Sequence, residues 1–163
     1  MNRSLAALLL LSVLISPSRQ VQKPVPVCGG QTQAVPLSAA AFRAMLDSVA
    51  VGWNSARPEL AAGCFTETAV YLEPPDRQLY RGRAALLAFF AASILPARAD
   101  RMRWQVTAFD STRQVGFGEY TYRGRQNYHG VAVLQLQAGL IQTWREYQYG
   151  SPLDWEQFVG ASR

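Results

Sequence analysis

The sequence predicts an α+β domain in which helices pack on one face of a mostly antiparallel sheet. Two observations carry this prediction. Apolar residues recur at helical spacing in the first half of the chain, whereas four consecutive segments in the second half have the alternating, β-branched and aromatic composition of strands. Because helices and strands occupy separate parts of the chain, we expect the helices to pack on one face of the sheet. If the sheet curls around them, the space between becomes a cone with a ligand pocket at its open end.

Two helices with apolar stripes precede the four strands. Ser38 is a suitable N-cap for the first helix, and Pro96 closes the second, which spans the run RAALLAFFAASIL. Between the two, the sequence predicts a short helix over residues 59–65 and a strand over residues 69–74. The apolar stripes consist of Phe42, Met45, Leu46, Val49 and Trp53 in the first helix, and of Leu86, Leu87, Phe89, Phe90 and Ile94 in the second.

Four strands and a terminal helix follow residue 101. The strand segments are RWQVTAFD, QVGFGEYTYRG, NYHGVAVLQLQAG and LIQTWREYQYG, separated by short polar or glycine turns. This order predicts an antiparallel meander. In the last segment, SPLDWEQF, Ser151 is the predicted N-cap, Pro152 is the first helical residue and Asp154 stands three residues after the cap.

The first 36 of the 163 residues precede the predicted domain. Residues 1–18 combine a basic start at Arg3, an apolar run over residues 5–15 and small residues around a cleavage point, which is the pattern of a secretory signal peptide. Residues 19–36 are polar and proline-spaced, so we expect an extended or disordered leader before one domain over residues 37–160. The apolar run is short for a membrane span, with an uncleaved anchor as the alternative. We therefore expect a secreted or periplasmic protein with no stable membrane association after cleavage.

The two cysteines, Cys28 and Cys64, could form a disulfide in an oxidising compartment. Such a bridge would pin the leader to the domain. In the alternative interpretation, Cys64 is a small buried apolar residue and Cys28 is a free thiol in a loop.

The charge pattern indicates no nucleic-acid partner. The formal net charge is +5, from 16 basic and 11 acidic residues, and the arginines occur in small groups that flank turns and helix ends. No nucleic-acid motif accompanies them, so we interpret them as solvated surface.

Ionisable residues on the predicted strands are the candidates for chemistry. In TWREYQ, side-chain alternation places Arg145 on one face of the strand and Glu146 on the other. His129 is the single histidine, and its usual pKa suits acid–base work near neutrality, with a half-exposed strand residue as the alternative. If neighbouring strands bring Glu119 beside Glu146, an apolar pocket would give the two carboxyl groups different roles. Otherwise each pairs with an arginine, for which Arg145 and Arg123 are nearby.

Aromatic residues are candidates for the pocket wall. Tyr71, Trp53 and Trp104 could line it, with core residues that need no further role as the alternative. Tyr147 or Tyr122 could donate a hydrogen bond to a bound ligand, and in the alternative interpretation Tyr147 only caps the rim of the sheet. We expect no metal site, because one histidine without carboxylates at ligand spacing does not fill a coordination shell. No cofactor is expected.

Several of these segments resemble the NTF2-like superfamily, in its SnoaL-like branch. The resemblance rests on the order of elements, on Trp53-Asn54, on VYLEPP, on the RGRAALLAFF helix that opens with Gly82, and above all on GLIQTWREYQ. It spans residues 37–159 and implies a cone-shaped fold, in which a curved, mostly antiparallel sheet wraps around the N-terminal helices. The superfamily includes ketosteroid isomerases, limonene-epoxide hydrolases and polyketide cyclases, and also members that bind proteins or have no known activity, so the fold does not fix the function.

One motif of the superfamily can be followed residue by residue. Limonene-epoxide hydrolases carry Trp-Arg-Asp-Tyr on the last long strand, and the Asp is an inward-facing acid. The same positions here hold Trp144, Arg145, Glu146 and Tyr147. The resemblance therefore implies that Glu146 points inward and is the candidate acid. The partner motif of those enzymes, an arginine and an aspartate two residues apart on the middle strand, is not evident, and the nearest segment is GEYTYRG.

The resemblance implies a SnoaL-type site that binds a small hydrophobic, oxygenated ligand. Acid–base chemistry such as hydration, isomerisation or cyclisation would then use Glu146 as the general acid or base, with His129 or Glu119 as its partner. The alternative is a non-catalytic binding or dimeric assembly module. Both faces of the predicted sheet carry apolar residues, which favours a homodimer through the face away from the helices.

Overall fold

The computed structural model describes residues 36–74, 78–94, 101–124 and 126–160. The predicted signal peptide, the predicted leader up to residue 35, Cys28 and Pro96 lie outside these residues. Within them the chain forms the elements α1 (Ala39–Asn54), α2 (Pro58–Ala62), β1 (Phe65–Glu73), β2 (Gln78–Arg81), α3 (Arg83–Ser93), β3 (Arg101–Asp110), β4 (Val115–Arg123), β5 (Asn127–Gln137), β6 (Leu140–Gly150) and α4 (Trp155–Phe158).

The six strands form one sheet in the order β2-β1-β6-β5-β4-β3. Strands β3 to β6 are the predicted antiparallel meander, and β1 pairs in parallel with β6. The mostly antiparallel α+β architecture is therefore confirmed. The sequence did not predict β2, a four-residue strand that pairs antiparallel with β1. We call the face that packs against α1 and α3 the inner face of the sheet, and the opposite one the outer face.

The two long helices are confirmed. Ser38 caps α1, and its Oγ accepts a hydrogen bond from the Ala41 backbone N–H at 3.2 Å. In α3, Leu86 and Phe90 are buried, whereas Leu87 is exposed. The predicted stripe of α1 is buried at Phe42, Met45, Leu46 and Val49, and Trp53 is partly buried against the core. The inner face of the sheet and these helices thus enclose the hydrophobic core.

The predicted boundary between the short helix and β1 is wrong. The short helix ends at Ala62, and Phe65 instead begins β1, where it is fully buried and pairs with Ile141 of β6. Pairing in the sheet therefore overrides the local helical pattern, and β1 begins earlier than predicted.

The terminal helix α4 begins after Asp154, not after Ser151. Asp154 accepts a hydrogen bond from the Gln157 backbone N–H at 2.8 Å, and the Gln157 side chain accepts one from the Asp154 N–H at 3.2 Å. This reciprocal capping box satisfies two backbone donors at once. Ser151 Oγ accepts instead from the Leu153 N–H at 3.3 Å, in the turn before the helix.

Close backbone packing joins α1 to α2. A Cβ at Gly52 would lie 2.7 Å from the Ala61 backbone nitrogen, so only glycine fits there.

Among the described residues, no helix combines the length and hydropathy needed to cross a bilayer.

Candidate active site

A cavity of about 470 Å³ lies between the inner face of the sheet and the helices α1 and α3. This volume falls within the range of about 300–1,000 Å³ that is usual for small-ligand sites. Half of the described residues that line the cavity are aromatic. They are Trp53, Phe89 and Phe90 from the helices, and Phe65, Tyr71, Tyr120, Tyr122, Tyr128 and Trp144 from the strands.

Glu146 places a carboxyl group in the wall of this cavity. Its side chain lies on the inner face of β6 and is only 5% exposed. The Trp144 indole donates to Oε2 at 2.7 Å, and the Tyr71 hydroxyl donates to the same oxygen. The Tyr120 hydroxyl and the Gln148 amide donate to Oε1. A carboxyl group surrounded by four donors is arranged as an acceptor, which is the role of its ionised form.

Strand geometry explains three of these four donors. Trp144, Glu146 and Gln148 alternate along β6 and therefore share the inner face. In the parallel pairing of β1 with β6, Tyr71 stands opposite Trp144, and the two rings stack with their centroids 5.8 Å apart. The indole and the phenol thus approach the same carboxylate oxygen from neighbouring strands.

Tyr120 reaches Glu146 from two strands away because Gly130 has no side chain. Tyr120 of β4 stands opposite Gly130 of β5. A Cβ at position 130 would come within 2.7 Å of three atoms of Tyr120, namely Cζ, Oη and Cε1. The ring therefore lies across β5 at the place that a side chain would fill, and its hydroxyl extends to the carboxylate on β6.

The electrostatic environment of the carboxylate is unusual for a buried charge. No Lys, Arg or His of the described residues forms an ion pair with Glu146, and the described cavity lining contains Glu73 and Glu146 but no basic side chain. Burial first, and the charge of Glu146 second, raise the pKa of Tyr71 well above its ordinary value of 10.0. The same two causes raise the pKa of Tyr120. Both hydroxyl groups therefore remain protonated donors at neutral pH.

Four of the residues predicted for the site lie at the cavity: Glu146, Tyr71, Tyr122 and Trp53. The inward orientation of Glu146 is confirmed, and Arg145 is exposed on the outer face. Arg145 and Arg123 are not ion-paired with Glu146 in the described structure. Arg123 donates instead to backbone carbonyl groups, including that of Tyr122 at 3.1 Å.

Trp104 does not line the cavity, contrary to the prediction. It is 3% exposed, and its indole N–H donates to the Leu46 carbonyl oxygen at 2.7 Å. Its ring contacts those of Tyr120 and Trp144 edge-on, at 5.4 and 6.0 Å between centroids. Trp104 therefore supports two residues of the site from the core.

Two predicted partners of Glu146, His129 and Glu119, lie on the outer face, and so does Tyr147, which was predicted to donate to the ligand. The prediction that these residues lie at the cavity of Glu146 is therefore wrong. Counting back from the β5–β6 turn in an unbroken register would place His129 opposite Gln148. A bulge shifts the register between Gln135 and Leu136, and His129 instead stands opposite Tyr149. One extra residue in β6 thus shifts the pairing of the two strands by one residue over the rest of the hairpin, and this shift places His129 on the outer face.

His129 belongs to a second, smaller cavity of about 260 Å³ on the outer face, beside α4. Its ring stacks on Phe158 at 3.8 Å between centroids, and Nε2 lies 3.0 Å from the Leu153 carbonyl oxygen. Nδ1 has no hydrogen-bond partner among the described residues. Glu119 and Tyr147 line the same cavity.

Sequence reasoning missed Tyr120, Gln148 and the indole of Trp144 as parts of the site. Period two alone placed Trp144 and Gln148 on the face of Glu146, which was a usable signal. For Tyr120 the signal was Gly130 in the middle of a strand, since an interior strand glycine often marks a place where another group approaches closely.

The remaining predictions concern metals and the disulfide. Among the residues that the structure describes, no group of three or more His, Cys, Asp or Glu side chains is placed to hold a metal ion. Cys64 is fully buried and is not a free thiol. Since Cys28 lies outside the described residues, the pairing of the two cysteines stays a prediction.

The fold and the site together define the class of this protein. The protein is an α+β domain whose sheet and helices enclose an aromatic cavity with a buried carboxylate in its wall. Residues 40–144 match the family model of the SnoaL-like domain, and the chain belongs to this family. The resemblance inferred from the sequence is thereby confirmed. No curated protein sequence matches the chain.

Solved structures share the fold at low sequence identity. A protein of unknown function with a cystatin-like fold from Methylobium petroleophilum is 18% identical, with a TM-score of 0.63, over 78% of this chain and 93% of that one. An LEH-like epoxide hydrolase of M. tuberculosis is 13% identical, with a TM-score of 0.56, over 67% of this chain and 82% of that one. SalBIII is an epoxide hydrolase/cyclase-like enzyme with a role in pyran ring formation in salinomycin. It is 15% identical, with a TM-score of 0.56, over 66% of this chain and 89% of that one.

Proposed function

We propose that the inner cavity binds a small hydrophobic, oxygenated ligand and that Glu146 acts on it as a general acid or base, in a hydration, isomerisation or cyclisation. The observation that carries this proposal is the carboxylate of Glu146, which is buried in the wall of an aromatic cavity and held by neutral donors. The similar epoxide hydrolase and the similar cyclase-like enzyme support the same class of chemistry.

In the proposed reaction three of the four donors of Glu146 have separate tasks. The Trp144 indole keeps the carboxylate in place at 2.7 Å. Gln148 is exposed, so it is the donor that a ligand can displace to reach a lone pair on Oε1. Glu146 then takes a proton from the ligand or from water and loses its charge, and the single O–H of Tyr120 turns from Oε1 to an oxygen of the ligand that gains negative charge.

A second candidate function is a non-catalytic binding or dimeric assembly module. It is supported by the four donors that already occupy both oxygens of Glu146, and by the apolar outer face. Val106, Val115, Phe117 and Tyr147 are each at least 37% exposed there. We propose that this face mediates a homodimer, because exposed apolar side chains gathered on one sheet face are typical of an interface.

We also propose that the protein acts outside the cytoplasm, on the strength of the signal-like residues 1–18. Fractionation of cells that express the full-length chain tests this proposal. Recovery of a shortened protein outside the cytoplasm would agree with it, and recovery of the full-length protein in the cytoplasm would contradict it.

Acid–base function is tested by substitution of the carboxylate. The protein is incubated with a panel of unconjugated cyclic enones and of epoxides, and conversion is followed by absorbance of the conjugated product or by chromatography of the diol. We expect Glu146→Gln to lower kcat by about 10²–10⁴-fold on any substrate that turns over. The matched control is Glu119→Gln, the same change on the outer face, which should leave kcat unchanged. Equal rates for the two variants, or no conversion of any compound, would contradict the proposal.

A further inference from the structure

The charge of Glu146 has no counter-ion in the described protein. Its side chain is 5% exposed, and all four of its hydrogen-bond donors are neutral groups. Hydrogen bonds offset part of the loss of hydration, but buried charges in proteins are usually also paired with an opposite charge. The cavity therefore presents a negative charge that a ligand can balance.

The cavity lining favours a positive ligand in a second, independent way. Half of the described lining residues are aromatic, and the faces of aromatic rings attract ammonium groups. The described lining contains no Lys, Arg or His side chain that would repel such a ligand. An anionic ligand would meet like charge there, and a neutral one would leave the charge of Glu146 unbalanced.

We propose that the oxygenated ligand of the inner cavity also carries a cationic amine, with an apolar body that packs among the aromatic rings and a protonated nitrogen that faces the Glu146 carboxylate. This inference rests on the proposed small-molecule function of the same cavity. The ammonium N–H groups take the place of the Gln148 amide, which donates to Oε1 and belongs to an exposed residue. A charge-assisted hydrogen bond thereby replaces a neutral one.

Three probes that share one ring system test the charge preference: 2-naphthylmethylamine, 2-naphthalenemethanol and 2-naphthoate. Their dissociation constants are measured at pH 7 by isothermal titration calorimetry with the unmodified protein. We expect the amine to bind at least roughly tenfold more tightly than the alcohol, and the carboxylate to bind most weakly. Affinity for the alcohol equal to or above that for the amine would overturn the inference and leave the small-molecule site intact. Binding of none of the three would count against the small-molecule function itself.

Substitution of Glu146 tests whether its carboxylate is the source of the preference for the amine. Glu146→Gln removes the carboxylate that faces the ammonium group and leaves only the weaker attraction of the aromatic rings, so we expect this variant to bind the amine and the alcohol within about threefold of each other. Glu119→Gln, which removes one negative charge from the outer face, should keep the preference of the unmodified protein. Loss of the preference in both variants would assign it to the overall field of the protein and not to Glu146. The comparison of probes on the unmodified protein stands even if Glu146→Gln does not fold.

Discussion

The substitution Gly130→Ala tests how Tyr120 reaches the buried carboxylate. A methyl group at position 130 would lie within 2.7 Å of three atoms at the end of the Tyr120 ring. The ring is 2% exposed and packs edge-on against Trp104, so it cannot simply swing into solvent. Alanine at this position must therefore displace the ring and its hydrogen bond to Glu146.

Two contributions set the expected magnitude of this effect. Overpacking of a well-filled core costs about 1–3 kcal/mol. Loss of a hydrogen bond to a charged group costs about 1.5–3 kcal/mol. Since the displaced ring retains some contacts, we expect the free energy of unfolding to fall by about 3–4 kcal/mol. Urea unfolding followed by tryptophan fluorescence measures this change, provided that the m-value stays constant.

The matched control is Gly150→Ala, on the neighbouring strand. A Cβ there would have its nearest neighbour at 4.0 Å, so alanine should stabilise the protein by about 0.5 kcal/mol through its lower chain entropy. In a Tyr120→Leu background the clashing atoms are absent, and Gly130→Ala should then cost less than about 1 kcal/mol. A full cost in that background, or no cost in the unmodified protein, would refute the explanation.

Three further predictions follow from the site and the outer face. Tyr71→Phe removes a donor to Glu146 and should lower the free energy of unfolding by about 1.5–3 kcal/mol. The control Tyr80→Phe, outside the cavity lining, should change the free energy of unfolding by less than about 0.5 kcal/mol. Urea unfolding of the two variants measures both values. The pKa of Tyr71 is raised in the folded protein, so its contribution to stability is complete below about pH 10 and decreases as the pH rises toward the higher folded-state pKa. Unfolding free energies measured from pH 7 to 11 should therefore decline at the alkaline end. The decline should be less steep in Tyr71→Phe. Phe117→Lys should convert a homodimer into monomers in sedimentation velocity, and Thr112→Lys in the β3–β4 turn should not; a dimer that survives Phe117→Lys would contradict an interface on the outer face.

The extent to which the sequence predicted the site depended on the range of each interaction. Within β6, alternation fixed the opposite orientations of Arg145 and Glu146, because period two is a local property of a strand. Which residues of β5 share a face with Glu146 depends on the register between the two strands, which alternation within one strand does not contain and which a bulge between Gln135 and Leu136 shifts. His129 was predicted as a partner of Glu146 from its chemistry alone, and it lies on the other side of the sheet.

Other parts of the fold were predictable to different degrees for similar physical reasons. The cap at Ser38 and the apolar stripe of α1 depend on residues within a few positions, and both are confirmed. Phe65 was assigned to a helix because its local neighbours favour one, but its partner Ile141 lies far along the chain. The capping residue of α4 was misplaced because Ser151 and Asp154 both suit the role, and only Asp154 has a reciprocal partner in Gln157.

The parallel pairing of β1 with β6 has a consequence for the order in which the chain acquires its structure. The hydrogen bond between Tyr71 and Glu146 joins residues 75 positions apart, so it cannot form until nearly the whole domain has been synthesised. Until β6 arrives, β1 keeps one unpaired edge and the aromatic residues of its inner face lack their main partner. Contacts of such long range slow folding, and unpaired edges promote aggregation. Nascent chains that stall before β6 would therefore be the form of this protein most in need of a chaperone.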